Sequence, residues 1–398
     1  MHTERLYFSD AYLASFTAQV IARRERAGQH EVVLDQSAFY PEGGGQPADR
    51  GLLDEIAVTD VQIEDGVVWH TLAAPLASDS VHGEIDWARR LDHMQQHCGQ
   101  HMLSAALERH YSLPTVAFHL GTEVVTIDIA GMIEPGQMAG AAALVNQVIW
   151  ENRPVFARFV TPEQLQSIEL RKPPTVAGSI RVVSIADFDH SACGGTHPHT
   201  TGSVGLLHIR RAERRGAQTR LEFLCGGRAL RDYRRSDAMI QQLAAEFSCA
   251  TNDVPAAVAR LREGEQQARK RLEQAAHTLL QHEAAELVAT AASIGRLRVV
   301  RQAFNGRAIE ELRTLATILI SLNSVALLGT TGEKTQLVFA APASVAVDSS
   351  ALLKQVLAAH GGRGGGQATL AQGALPHADQ LATALDQAQA FLVAQSSD

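Results

Sequence analysis

The chain has 398 residues, enough for two or three domains that each bury a core. With 45% hydrophobic and 20% charged residues, it lies outside the disordered and fibrous classes. A formal net charge of −8 excludes a uniformly basic nucleic-acid binder, and four scattered cysteines exclude a disulfide scaffold.

Residues 1–90 alternate short apolar runs, such as Val32-Val33-Leu34 and Val67-Val68-Trp69, with glycine and proline, which predicts a β-rich N-terminal part. From 92 to about 110, Met94, Cys98, Met102, Ala105 and Ala106 recur every three or four residues and predict a helix. Strand-like pieces at 124–129, 180–185 and 204–209 make the stretch 91–235 a mixed α/β domain. Over 236–292 glycine is rare, and Val258, Leu261, Ala268, Leu272, Ala275 and Leu279 keep a three-four spacing, as in an amphipathic helix, a helical pair or a weak coiled coil. A hairpin over 325–340 and a helix at 351–359 open a separate C-terminal α/β domain, 293–398. The expected fold class is α+β, without internal repeats. The most apolar run, 315–328, is broken by Thr317, Ser321, Asn323 and Ser324, and no basic-then-apolar leader opens the chain. The expectation is a cytoplasmic protein without membrane contact.

His97 and His101 stand four apart on the predicted helix, so both imidazoles project from one face. Such a pair alone is more often structural than ligating. Cys193-Gly194-Gly195-Thr196-His197 adds a thiolate and an imidazole on a loop whose glycines let both side chains turn to one point. The four donors suit tetrahedral zinc, and only a folded domain brings Cys193 to His101. A zinc protease is set aside, because Cys98 stands where its general-base glutamate would follow the first histidine. Cys98 is offset from His97 and expected to be buried; Cys225 and Cys249 read as core or loop thiols. His190 and His199 flank the cysteine loop as alternative ligands, and that choice is left open.

The run from Ser37 to Pro47 contains Gly43-Gly44-Gly45-Gln46. Its glycines permit close backbone approach, and Gln46 can donate and accept, which suits either a ligand loop or a tight turn. Gly361-Gly362-Arg363-Gly364-Gly365-Gly366-Gln367 reads as a loop against a phosphate or RNA backbone. Nine arginines (Arg210, Arg211, Arg214, Arg215, Arg220, Arg228, Arg231, Arg234, Arg235) face only Glu213, Glu222 and Asp232, a local basic excess that fits a phosphate backbone or a solvated face.

SAFYPEGGGQPADRG from Ser37, HCGQHMLSAAL from His97, CGGTHPHTTGSVG from Cys193 and GGRGGGQATLAQG from Gly361 occur in one order. Together they resemble the editing half of alanyl-tRNA synthetases and, more closely, the free-standing alanyl-tRNA editing proteins of the AlaX family in their long form. The resemblance implies zinc on His97, His101, Cys193 and His197, and substrate-facing positions at Ser37, Gly44, Gly45 and Gln46. Arg210, Arg211, Arg214 and Arg215 of the basic stretch and Arg363 of the glycine-rich loop are the candidate RNA contacts. The family usually has threonine where this chain has Ser37. The activity implied is ATP-independent deacylation of tRNA(Ala) mischarged with serine, with glycine second, and no aminoacylating domain is expected. Editing of threonine tRNA and a non-catalytic zinc-stabilised RNA-binding role are the alternatives; Gly-Gly-Thr-His and the terminal glycine-rich domain favour alanine. A homodimer through the helical spacer or the C-terminal domain is left open.

Overall fold

Alternation of buried and exposed residues closes the N-terminal strands into a barrel. In the computed structural model, which describes residues 2–173 and 178–395, the first elements are β1 (Glu4–Arg5), β2 (Ser15–Arg26), β3 (Gln29–Leu34), β4 (Gln36–Ser37), β5 (Gly51–Leu53), β6 (Ile56–Glu64), β7 (Val67–Leu72) and β8 (Ser80–Ile85). The closed order is β2-β3-β7-β6-β5-β8, and Phe16, Val32, Leu34, Leu53, Val61 and Val68 fill the interior.

Helix α1 (Trp87–Tyr111) begins five residues before the expected start, because the Asp86 carboxylate accepts from the Arg89 amide and caps it. It ends at Ser112, whose φ of 55° is left-handed. Next come β9 (Thr115–Leu120), β10 (Val125–Ala130), α2 (Pro135–Trp150), β11 (Val155–Val160), the single turn α3 (Pro162–Leu165), β12 (Ile180–Ile185) and β13 (Asp189–Ala192). Strands β14 (Leu207–Arg215) and β15 (Gln218–Cys225) lead into α4 (Gly226–Glu246). One sheet runs β14-β15-β10-β9 and another β11-β12-β13. Cys98, Met102, Ala105 and Ala106 of α1 share a core with Ile127, Val145, Leu221 and Phe223. The strand expected at 204–209 starts only at Leu207, since Val204 lies in a 3-10 turn closed by Gly205 at φ 80°.

The chain divides into two compact units, with the boundary after Glu246. The expected 236–292 helical stretch is a pair: α4 belongs to the first unit and α5 (Val254–Ala289) to the second, and Ser248 at φ 51° lies in the break. The second unit continues with β16 (Ala292–Ile294), β17 (Leu297–Asn305), α6 (Ile309–Ser321), β18 (Ser324–Thr331), β19 (Thr335–Ala340), α7 (Ser349–His360), β20 (Arg363–Gln367), β21 (Leu370–Leu375) and α8 (Gln380–Gln395). Its sheet runs β16-β17-β18-β19-β21-β20, and α7 and α8 cover one core while α5 and α6 cover the other. The expected hairpin is β18–β19. The glycine-rich stretch at 361–367, expected as a loop, is for the most part the edge strand β20, paired residue by residue with β21. Its glycines meet a packing demand: a Cβ on Gly364 would lie 2.5 Å from the Gln372 carbonyl oxygen. Among the described residues no helix is long and apolar enough to cross a membrane.

Candidate metal centre and its cavity

Helix α1 presents His97 and His101 one turn apart, with ring centroids 5.2 Å from each other. The loop after β13 folds Cys193 and His197 onto the same point. Cys193 Sγ lies 3.5 Å from His97 Nε2 and 3.3 Å from His197 Nε2, and one donor atom from each of the four residues falls within 4.8 Å of the others. Zinc bonds of about 2.0–2.3 Å at tetrahedral angles put nitrogen and sulfur donors roughly 3.5 Å apart, so the spacing fits zinc. Neither His190, bonded through Nδ1 to Ser184 Oγ, nor His199, stacked on Tyr12, belongs to the group.

Electrostatics agree with a ligating set. Burial would push the Cys193 thiol up, but His97, His197 and His101 around it hold it well below its ordinary value. Burial would lower His101, yet Cys193 and Asp189 raise it to about 9. Burial holds His197 down at about 3. Cys98 is wholly buried one residue off the ligand face, and burial raises its thiol, as it raises Cys225.

The supporting contacts assign new tasks to residues expected elsewhere. Gln46 is fully buried: its carbonyl oxygen accepts from His97 Nδ1 at 2.8 Å and from the Thr196 amide at 3.2 Å, and its Nε2 donates to Thr196 Oγ1. Gln46 therefore orients a candidate metal donor, and its polar atoms are spent within the protein instead of facing a substrate. Ser37 is also spent within the protein. It accepts from the Phe39 amide and donates to His70 Nε2 at 2.8 Å; His70 Nδ1 in turn donates to the Val32 carbonyl, and burial holds His70 down at about 4, hence neutral. Gly45, at φ 82°, lies against the Phe118 ring, where a Cβ would come within 2.8 Å.

Three residues that sequence reasoning missed hold the centre in place. Asp189 Oδ2 lies 3.4 Å from His101 Nδ1, and Asp189 Oδ1 accepts from Arg171 Nε at 3.0 Å. Buried Arg181 donates to the carbonyls of Cys193 and Gly195 and so fixes the cysteine loop. Arg90 on α1 is bound to Asp49 and donates to the carbonyls of Ala11 and Ala38, tying the glycine segment to the ligand helix. The signal available was the four-residue spacing from Asp189 to Cys193, which has no meaning until β13 is known.

A cavity of about 350 Å³ opens on His97, His101 and Cys193. Gly44, Gln100, Thr115, Phe118, Arg171 and Lys172 are among its other walls; of the four expected substrate-facing residues only Gly44 lines it. Lys172 donates to the Thr115 carbonyl, and burial lowers its ammonium.

Three family models match the chain: tRNA synthetases class II (A) at residues 8–89, the threonyl and alanyl tRNA synthetase second additional domain at 180–221, and the DHHA1 domain at 299–394. Alanyl-tRNA editing protein AlaX-L of Pyrococcus horikoshii is 31% identical over 93% of this chain and 94% of its own. The chain belongs to the alanyl-tRNA editing protein family. The alanine–tRNA ligase of Pyrococcus furiosus is 30% identical over 98% of this chain, which spans 44% of that ligase. The Aarsd1 editing protein of Mus musculus is 32% identical over 63% of this chain and 66% of its own.

In this family member the expected RNA-facing Arg210, Arg211, Arg214 and Arg215 lie on β14 and Arg363 on β20, while the rest of the arginine-rich stretch lies on β15 and α4. Their charge is partly cancelled. Arg210 pairs with Glu222 at 2.8 Å and Asp232 at 3.5 Å, Arg211 with Glu222 at 3.3 Å and Arg215 with Glu213 at 3.5 Å. Arg220 is fixed on Asp128 and Arg228 on Asp92. Arg214, Arg231 and Arg234 make no ion pair among the described residues.

Proposed function

We propose that this protein hydrolyses the ester of mischarged tRNA(Ala) in trans, chiefly seryl-tRNA(Ala) and secondarily glycyl-tRNA(Ala), without ATP. The observation that carries the reading is the His97-His101-Cys193-His197 set, three of whose members line a cavity that Arg171 and Lys172 also line, in a chain of the alanyl-tRNA editing family. A cavity of that size suits an aminoacyl end with part of the terminal nucleoside. Arg171 and Lys172 on its wall suit the neighbouring phosphate, and Asp189 holds Arg171 in place.

A zinc ion on the four donors would supply Lewis acidity and an electrostatic anchor; four protein ligands form a closed set, which favours anchoring the substrate over activating water. Gln46 and Asp189 orient two of the imidazoles. Selection of serine follows from partner loss: a site that bonds the serine hydroxyl leaves its own polar groups unpaired against an alanyl ester.

The test is a deacylation panel of seryl-, glycyl- and alanyl-tRNA(Ala) beside seryl-tRNA(Thr), run with zinc and with a chelator. The expected result is rapid loss of the seryl ester, slower loss of the glycyl ester, sparing of the alanyl ester, and no hydrolysis after metal removal. Zinc-loaded protein that clears neither mischarged tRNA(Ala) overturns the reading. Preference for seryl-tRNA(Thr) would reassign it to threonine editing.

A further inference from the structure

His197 stands at a second cavity that its three partners do not reach. His97, His101 and Cys193 line the cavity of about 350 Å³, whereas His197 lines a cleft of about 210 Å³. The other walls of that cleft are rich in aromatic rings: Tyr7 and Phe8 from the N-terminal segment, Phe156 from β11 and His199 from the loop that carries Cys193.

Rings that a core would hide lie open here. β11 is an edge strand of the sheet β11-β12-β13, and its Phe156 and Phe159 are 47% and 54% exposed. Phe159 packs edge-on against Phe8, with ring centroids 5.5 Å apart, so the aromatic wall continues past the cleft. His199 is stacked on Tyr12 at 4.1 Å, and 65% of its side chain is exposed. Apolar rings left in water along a strand edge favour aggregation unless a ligand covers them. The charges among them are mostly positive. Arg5 lies over Phe8 at 5.8 Å, Arg181 at 5.2 Å, and exposed Arg158 stands between the two phenylalanines of β11. Arg5 and Arg158 make no ion pair among the described residues. One carboxylate, Asp10, approaches the group, 3.9 Å from His199 Nε2.

Flat apolar faces beside unpaired guanidinium groups suit single-stranded nucleic acid, since every base has a face to stack and every phosphate a charge to neutralise. Continuity with the candidate metal set through His197 favours an RNA end over a protein partner. The larger cavity suits the ester and part of the terminal nucleoside, so the base left for the cleft is an earlier one. We infer that the aromatic cleft of Phe8, Phe156, Phe159 and His199 stacks an unpaired cytidine base that precedes the terminal adenosine of the tRNA 3′ end. The inference rests on the aminoacyl-ester reading above and adds how the strand leading to the ester is gripped. Stacking is tolerant of base identity, so the cleft contributes affinity and places the ester without selecting the amino acid.

The test compares a labelled acceptor-stem minihelix ending in CCA with the same minihelix in which both cytidines are abasic, with Kd for the zinc-loaded full-length protein read by fluorescence anisotropy. Both RNAs carry the same phosphates. The wild type is expected to bind the abasic RNA roughly tenfold more weakly. Phe156→Leu with Phe159→Leu keeps apolar bulk and removes the flat rings; the intact RNA should then bind no better than the abasic one, whose own Kd stays within about twofold of its wild-type value. Phe156→Tyr with Phe159→Tyr returns the rings and should return the difference. Phe159→Leu alone, at the more exposed position, should still narrow the difference, which covers the case that the double leucine variant folds poorly. Equal binding of both RNAs by the wild type, or a difference that survives loss of both rings, overturns the cleft. A leucine variant that keeps the difference but changes oligomeric state in ultracentrifugation also overturns it and gives this face to a second copy. Deacylation of seryl-tRNA(Ala) run in parallel separates the two readings: a protein that distinguishes the two RNAs yet hydrolyses no ester refutes the hydrolase and leaves the cleft standing.

Discussion

A histidine that binds metal through Nε2 must place its Nδ1 proton elsewhere, and Gln46 receives the one from His97. The same carbonyl oxygen accepts the Thr196 amide, so one carboxamide fixes a ligand on the helix and the backbone next to a ligand on the loop. Replacing it with a shape-mimic lacking hydrogen bonds should loosen the metal before it harms the fold. Gln46→Leu is expected to weaken zinc affinity roughly 10- to 100-fold, measured by competition with a chromophoric chelator. Unchanged affinity would mean that Thr196 and the cysteine loop hold their geometry unaided. Ser37, on β4 beside the barrel, is likewise spent within the protein, since its hydroxyl is committed to His70 of the barrel strand β7 and to the Phe39 amide.

At the scale of elements, glycine in β20 is required on one face and free on the other. A Cβ at Gly364 or Gly366 would press on the backbone of β21, at 2.5 Å from the Gln372 carbonyl oxygen in the first case, whereas at Gly365 nothing lies within 4 Å. Gly364→Val should therefore lower the thermal midpoint of the second unit by several degrees, on the order of 1–3 kcal/mol, while Gly365→Ala should leave it nearly unchanged, as followed by calorimetry. The contrast also marks what a sequence can tell. Repeated glycine announces close approach, but not whether to a ligand or to the next strand, and here β21 is the neighbour. The grouping of the four candidate metal donors was legible because each pair carries its own local spacing, on helix or loop. The barrel was visible only as β-rich sequence, since closure depends on β2 pairing with β8 across the whole segment. Gln100 and Thr115 meet on the cavity wall only because β9 packs beside α1, joined through Ser104. Asp189 and Arg181 were hidden for the same reason.

Over the whole molecule, a formal charge of −8 has to coexist with binding a polyanion, so the few uncancelled cations should govern the encounter. Counting arginines overstates that supply. Arg220 is held by Asp128 at 2.6 Å and Arg228 by Asp92 at 2.6 Å, leaving their charge largely internal. Arg231 and Arg234, exposed on α4 and without an ion pair among the described residues, retain theirs, and Arg231 lines a groove of about 520 Å³ with Arg210 and Arg235. A cation that neutralises a phosphate releases a counterion, so its removal lowers the dependence of log Kd on log salt by roughly 0.9 for a duplex contact. The combined variant Arg231→Ala with Arg234→Ala is thus expected to flatten the salt dependence of tRNA binding by about 1–2 units of slope, measured by filter binding between low and moderate salt. Arg220→Ala, which frees Asp128 instead of removing an available cation, should leave the slope where it was. Equal slopes in all three proteins would place the RNA on a face that α4 does not form.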